Sequence, residues 1–183
     1  MAWYARIPKM DVPAYCVHQL LWSYLPKEYR QAGAERPFVY LQDKEHIHVI
    51  SRMPLSTDAL LLETSISSGK VYQFKVLCSP SRGGKSPDGE RLRRLYYRGN
   101  DERREWLSRR LDGCAEVLFS SVFDRPVRLI KKPKGVTVKI EECVITGTLR
   151  VTDKMAFLSK MSSGIGGRGA WGCGLLWMPE VMQ

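Results

Sequence analysis

Cysteine and histidine are scarce in this chain. The five cysteines stand at 16, 78, 114, 143 and 173, an odd number with no Cys-x-x-Cys pair and no Cys/His cluster. That spacing argues against a disulfide framework and a structural zinc site, and it fits a reducing, intracellular setting. Of the three histidines, His46 and His48 alternate on a strand and share one face, but Glu45 is their only acidic neighbour. A surface role suits them better than metal ligation, and no metal or other cofactor is expected. Long apolar runs are also missing. Nothing approaches the ~18 residues of a membrane span, and the opening MAWYARIPKM lacks the apolar stretch of a signal peptide. A soluble cytoplasmic protein with no membrane partner is the expectation. Acidic residues are the last shortage: 19 Asp and Glu face 29 Lys and Arg, a formal charge of +10. A hydrophobic content of 44% across 183 residues is nevertheless enough for real cores, which excludes a disordered basic tail.

The basic surplus is concentrated. Residues 1–70 carry 8 Lys/Arg and 7 Asp/Glu, residues 71–139 carry 17 and 8, and residues 140–183 carry 4 and 4. The middle third therefore holds nearly all of the excess, in clusters at 85–98, 103–110 and 125–139. A single such cluster is commonly a solvated face. Three of them, with Tyr96, Tyr97 and Trp106 interleaved, favour a polyanion, because each neutralised phosphate releases condensed counterions. Nucleic acid is the expected partner.

The hydrophobic patterning predicts an α+β fold. A strand over 3–8 leads to a helix that Asp11 caps and Pro26 closes. Within that helix Val17, Leu20, Leu21, Tyr24 and Leu25 form one buried stripe. Strands at 37–42 and 46–51 make a hairpin, a second helix runs from Ser56 to about Glu63, and VYQFKVLC (71–78) is a strand. The order β-α-β-β-α-β is that of a ferredoxin-like unit. A Ser/Gly/Pro-rich stretch at 79–89 reads as a mobile loop. Beyond it the order recurs: a helix at 101–111, strands at 115–122, 127–132 and 136–149, a helix at 153–162 and a strand at 174–178. The expectation is two tandem ferredoxin-like (RRM-like) domains, 1–75 and 76–183.

Two motifs are left for chemistry. In AYCVHQLLW (14–22), Tyr15, His18 and Trp22 fall at i, i+3 and i+7 on the flank of the first helix, with His18 about 90° from the buried stripe. A lone histidine there is more often a packing or surface residue, and the spacing alone does not make it catalytic. The other motif, GIGGRGAWGCGLL (164–176), contains the letters G-x-G-x-x-G. A dinucleotide fold needs a strand before that pattern and a helix after it. Here a helix precedes it and the chain ends soon after. Two readings stay open: a loop whose backbone N–H groups approach phosphates, or one that packs tightly between domains.

These residues resemble those of CasE, the pre-crRNA endoribonuclease of type I-E CRISPR systems. YCVHQLLW (15–22) is similar to the family's first-helix motif Tyr-x-x-His-Gln-x-Leu-Trp. SRMPLST (51–57) is similar to the segment before its second helix, and 145–176 resembles its closing segment with the glycine loop. One departure is plain: the family usually carries Lys where Gly169 stands here, and the nearest cation in sequence is Arg168.

The resemblance implies a CRISPR repeat RNA stem-loop cut at its 3′ base and kept bound as crRNA, alongside other Cascade subunits. The nucleophile is the RNA's own 2′-OH, leaving a 2′,3′-cyclic phosphate and a 5′-OH, so the protein supplies proton exchange, alignment and charge rather than a metal. His18 matches the family histidine and Tyr15 would orient the phosphate or the 2′-OH. The basic candidates for RNA contact are Arg91, Arg93, Arg94 and Arg98, then Arg128, Lys131, Lys132 and Lys134, and Arg168 in the glycine loop. Two alternatives stand beside this one. The first is a non-cleaving crRNA-binding subunit. The second is a generic RRM-like binder of single-stranded RNA, which would need an aromatic RNP run that this sequence lacks.

Overall fold

The computed structural model describes residues 1–30, 36–56, 58–85 and 92–182, with the side chains of Glu28, 84–85, 92–94 and Lys134 left out. The first sheet contains β1 (Trp3–Pro8), β2 (Phe38–Gln42), β3 (His46–Ser51) and the two-residue β4 (Leu60–Leu61), all antiparallel in the order β2-β3-β1-β4. Helix α1 (Val17–Ser23) lies between β1 and β2 in the chain. The β2–β3 turn is set by Asp43, whose carboxylate accepts the backbone N–H groups of Glu45 and His46 at 2.8 and 2.6 Å.

The second sheet begins with β5 (Val71–Cys78), whose strict alternation buries Tyr72, Phe74, Val76 and Cys78. After it come β6 (Ser81–Lys85), β7 (Leu92–Tyr96), α2 (Asn100–Leu111), β8 (Ala115–Asp124), β9 (Arg128–Lys131), β10 (Thr137–Ile140), β11 (Cys143–Val151), α3 (Lys154–Ser163) and β12 (Leu176–Trp177). The sheet order is β12-β5-β11-β8, while β6–β7 and β9–β10 are separate hairpins. Counting only its own strands, this order reads 4-1-3-2, which is the 2-3-1-4 order of the first sheet seen from the other edge. Both sheets therefore have ferredoxin-like topology and the chain is α+β.

Several elements differ from the sequence expectation. Strand 71–78 pairs along its length with β11, so it opens the second sheet instead of closing the first. The expected helix at 56–63 is absent among the described residues: Leu60 and Leu61 pair with Tyr4 and Trp3, and a 3-10 turn spans Leu62–Thr64. The sheet face that such a helix would cover is taken by α3, with Val39 and Ile50 in one core with Phe157, Leu158 and Met161. Helix α1 is also shorter than expected and ends at Ser23, so Tyr24 leaves the stripe and is exposed, while Val17, Leu21 and Leu25 stay buried against Phe38, Tyr40, Ile47 and Val49. The stretch read as a loop at 79–89 holds β6, paired with β7; residues 86–91 lie outside the described set. The single strand expected at 136–149 breaks at Glu141–Glu142, because β10 pairs with β9 and β11 with β5 and β8. Only Leu176–Trp177 of the expected 174–178 strand is paired, since the Gly174 carbonyl accepts the Ile165 N–H and its own N–H goes to Leu77. Among the described residues no helix is long and apolar enough to cross a membrane.

Candidate active site

The β9–β10 hairpin is fastened to the segment leading into α1 by a small core. Ile130, Ile140 and Cys173 are buried there, with Tyr15, Val138 and Trp171 packed against them. Tyr15 lies in the turn just before α1, so this packing draws the basic hairpin to the start of that helix. A cleft of about 350 Å³ results, lined by Tyr15, His18, Gln19, Lys132, Pro133, Ala170 and Trp171. It unites three segments far apart in sequence: α1, the hairpin and the glycine loop.

The His18 imidazole is half-buried on the flank of α1. Trp22 donates its indole N–H to His18 Nε2 at 3.0 Å. An indole nitrogen can only donate, so the neutral imidazole carries its proton on Nδ1. Phe38 backs the pair, with its ring 6.3 Å from that of His18 and 5.6 Å from that of Trp22. Burial, and after it the charge of Arg36, hold His18 below its ordinary proton affinity. Arg36 itself rests on Phe38, donating Nε–H to the Phe38 carbonyl at 2.7 Å with its guanidinium carbon 5.8 Å from the ring centroid.

The basic residues singled out in the sequence are dispersed around this cleft. Lys132 lies in it, its ammonium 5.0 Å over the Trp171 ring. Lys131 is exposed on β9, opposite Thr137. Arg128 is engaged within the protein, where it donates to the Glu142 carboxylate at 2.9 Å and to the Trp171 carbonyl at 2.6 Å, tying the hairpin to the glycine loop. Arg98 lies apart from the cleft, exposed and 3.9 Å from Glu141. Arg93 and Arg94 are on β7, paired with Gly84 and Gly83. Arg91, and the side chains of Arg93, Arg94 and Lys134, lie outside the described set.

The glycine loop is a packed connection from α3 to β12. Gly169, Gly172 and Gly174 are buried, which favours the second of the two readings the sequence left open. A Cβ on Gly169 would collide with the Arg36 guanidinium. Arg168 is the one non-glycine residue with left-handed backbone among the described residues, at φ 65°. Its guanidinium donates to the Tyr96 hydroxyl at 3.0 Å. The space that a side chain at residue 169 would enter is occupied by the Arg36 guanidinium. Arg36, Phe38 and Trp171 were missed in the sequence, where nothing ties residue 36 to residue 169.

His48 is fully engaged elsewhere. Its Nε2 pairs with Asp43 at 2.8 Å and its Nδ1 with the Tyr4 hydroxyl at 2.7 Å. The bond from His48 holds the Asp43 carboxyl well below the usual range. Among the described residues no group of three His, Cys, Asp or Glu side chains is placed to hold a metal ion.

A family model described as "CRISPR associated protein" matches residues 8–179. No curated protein matches the chain in sequence. Among solved structures, Cas6e from Escherichia coli is 21% identical with a TM-score of 0.73, covering 97% of this chain and 98% of that one. Thermus thermophilus Cse3, bound to an RNA representing a pre-cleavage complex, is 16% identical with a TM-score of 0.72, covering 97% and 98%. A chain of E. coli Cascade bound to a double-stranded DNA target is 20% identical with a TM-score of 0.61, covering 96% of each. At these identities the structures speak for the fold, and the family match extends over nearly the whole sequence. The chain belongs to the CRISPR associated protein family and has the fold of Cas6e and Cse3, as its CasE-like motifs implied.

Proposed function

We propose that the chain is a cytoplasmic, metal-independent endoribonuclease that cuts CRISPR repeat RNA at the base of a stem-loop and retains the crRNA within a Cascade-type complex. The observation that carries this reading is the cleft joining His18 and Tyr15 to Lys132 on a basic hairpin. The two ferredoxin-like units, proposed as 1–75 and 76–183, are better divided just before Val71 so that β5 stays whole.

The RNA 2′-OH attacks the adjacent phosphorus and the 5′-oxygen leaves, so bond making and breaking both occur within the substrate. His18 is the proton exchanger. Its Nε2 lone pair, occupied by the Trp22 N–H until RNA arrives, accepts the 2′-OH proton, and the imidazolium so formed returns a proton to the departing 5′-oxygen, which leaves as the 5′-OH. Tyr15 orients the reacting groups. Lys131, Lys132 and Lys134 grip the stem through phosphates and A-form shape.

Replacing those three lysines together with Ala should weaken binding of the stem-loop and flatten its salt dependence, by roughly one unit of slope per lost phosphate contact. Gel shifts across a salt series measure this. An unchanged slope would make the hairpin an ordinary solvated turn.

The lowered proton affinity of His18 fixes the sign of the pH dependence. The folded chain binds fewer protons at His18 than the unfolded chain does. This group's share of stability is therefore present above the unfolded value of about 6.5 and is lost as pH falls from there through the lower folded value. Because the base must be neutral, kcat/KM should be flat through neutral pH and fall on the acid side, with a midpoint below about 6.5. A midpoint above about 7 in the pH–rate profile would contradict the assignment.

A further inference from the structure

Arg36 stands apart from every basic cluster of the sequence. Its guanidinium is half-buried, yet among the described residues no carboxylate pairs with it; its one hydrogen bond uses Nε, on the Phe38 carbonyl. Arg128, by contrast, has the buried Glu142 carboxylate as its counter-charge. Neither terminal nitrogen of Arg36 is among the sealed, unsatisfied side-chain atoms of the described residues. A desolvated cation without a counter-anion is costly until an anion arrives. Arg36 is not itself in the cleft lining, but it shares Phe38 with His18, Gly169 beside it adjoins Ala170 in the cleft wall, and its charge acts on the imidazole. Gly169 makes this position available: any Cβ there would displace Nη2.

We propose that Arg36 is an anion clamp, holding a non-bridging oxygen of the RNA phosphodiester beside His18, and that Gly169 is the small residue that lets the guanidinium lie there. The inference rests on the reading of the cleft as the place where the scissile phosphate sits. A guanidinium gives a planar, charge-assisted fork suited to phosphate oxygens. Its effect grows as negative charge accumulates on those oxygens in the transition state. Clamping also couples two events, because a bound phosphate cancels the Arg36 charge that opposes protonation of His18.

The test uses the whole chain and its Arg36→Gln, Arg36→Lys and Gly169→Ala variants. Gly169 does not have a left-handed backbone, so Ala there brings no backbone strain and moves only a flexible side chain. Inorganic phosphate, titrated while the His18 imidazole is followed by NMR, should give a saturable shift in the wild type. That response should be roughly tenfold weaker in Arg36→Gln and Gly169→Ala, and intermediate in Arg36→Lys. Single-turnover cleavage should slow by about 100-fold in Arg36→Gln, with stem-loop affinity changed only a few-fold. The Arg36→Gln/Gly169→Ala double variant should be no slower than Arg36→Gln alone, because both changes remove one contact. A His18 signal indifferent to phosphate, an equal response in Arg36→Gln, or additive losses in the double variant would overturn the clamp. A wild type that cleaves no RNA, but whose phosphate response depends on Arg36, would keep the clamp and overturn the endonuclease reading.

Discussion

His18→Ala is expected to lower the cleavage rate constant by roughly 10²–10⁴-fold while stem-loop affinity stays within a few-fold. The separation follows from where the imidazole sits. Val17 and Leu21 carry the buried face of α1, and His18 lies on the flank, its one hydrogen bond among the described residues coming from Trp22. Removing it frees one indole N–H at a half-buried position without opening the core behind it. The basic hairpin, held by Arg128 and by the Ile130–Ile140–Cys173 core, is untouched. Gel-shift and cleavage assays on one preparation decide the matter. Full cleavage by the variant would remove His18 from the chemistry and leave the non-cleaving crRNA-binding subunit as the better account of the chain.

Much of this fold was legible because its signals are local. The alternation in VYQFKVLC and the hairpin of strands 37–42 and 46–51 need no distant partner to be read. Helix α2 lies within one residue of its expected span, since Gly113 and the flanking loop punctuate it. What failed depended on a competing partner. The segment 56–63 has helical spacing, but α3, from about a hundred residues away, already covers the face it would bury, and its leucines pair with β1 instead. The strand at 136–149 looked continuous because nothing in its composition shows that the chain changes sheets at Glu141–Glu142. The candidate site divides in the same way. His18, Tyr15 and Lys132 were visible through motif and charge. The roles of Arg128 and Arg36 were not, because a cation's counter-charge and its neighbouring glycine are properties of three-dimensional contact.

In the proposed reaction the nucleophile belongs to the RNA. If so, a substrate with a single 2′-deoxy sugar 5′ to the cut should bind as well as the all-ribose stem-loop and resist cleavage completely, since no other group can close the cyclic phosphate. The protein's contribution in that route is proton transfer and charge, so the all-ribose RNA should be cut at an unchanged rate in excess EDTA. The most direct measurement runs both RNAs side by side in EDTA, with product ends identified by mass. A 2′,3′-cyclic phosphate and a 5′-OH are expected from the ribose substrate, and intact RNA from the 2′-deoxy one. Cleavage of the 2′-deoxy RNA, or activity lost in EDTA and restored by Mg²⁺ or Mn²⁺, would contradict that route and point to metal-assisted hydrolysis.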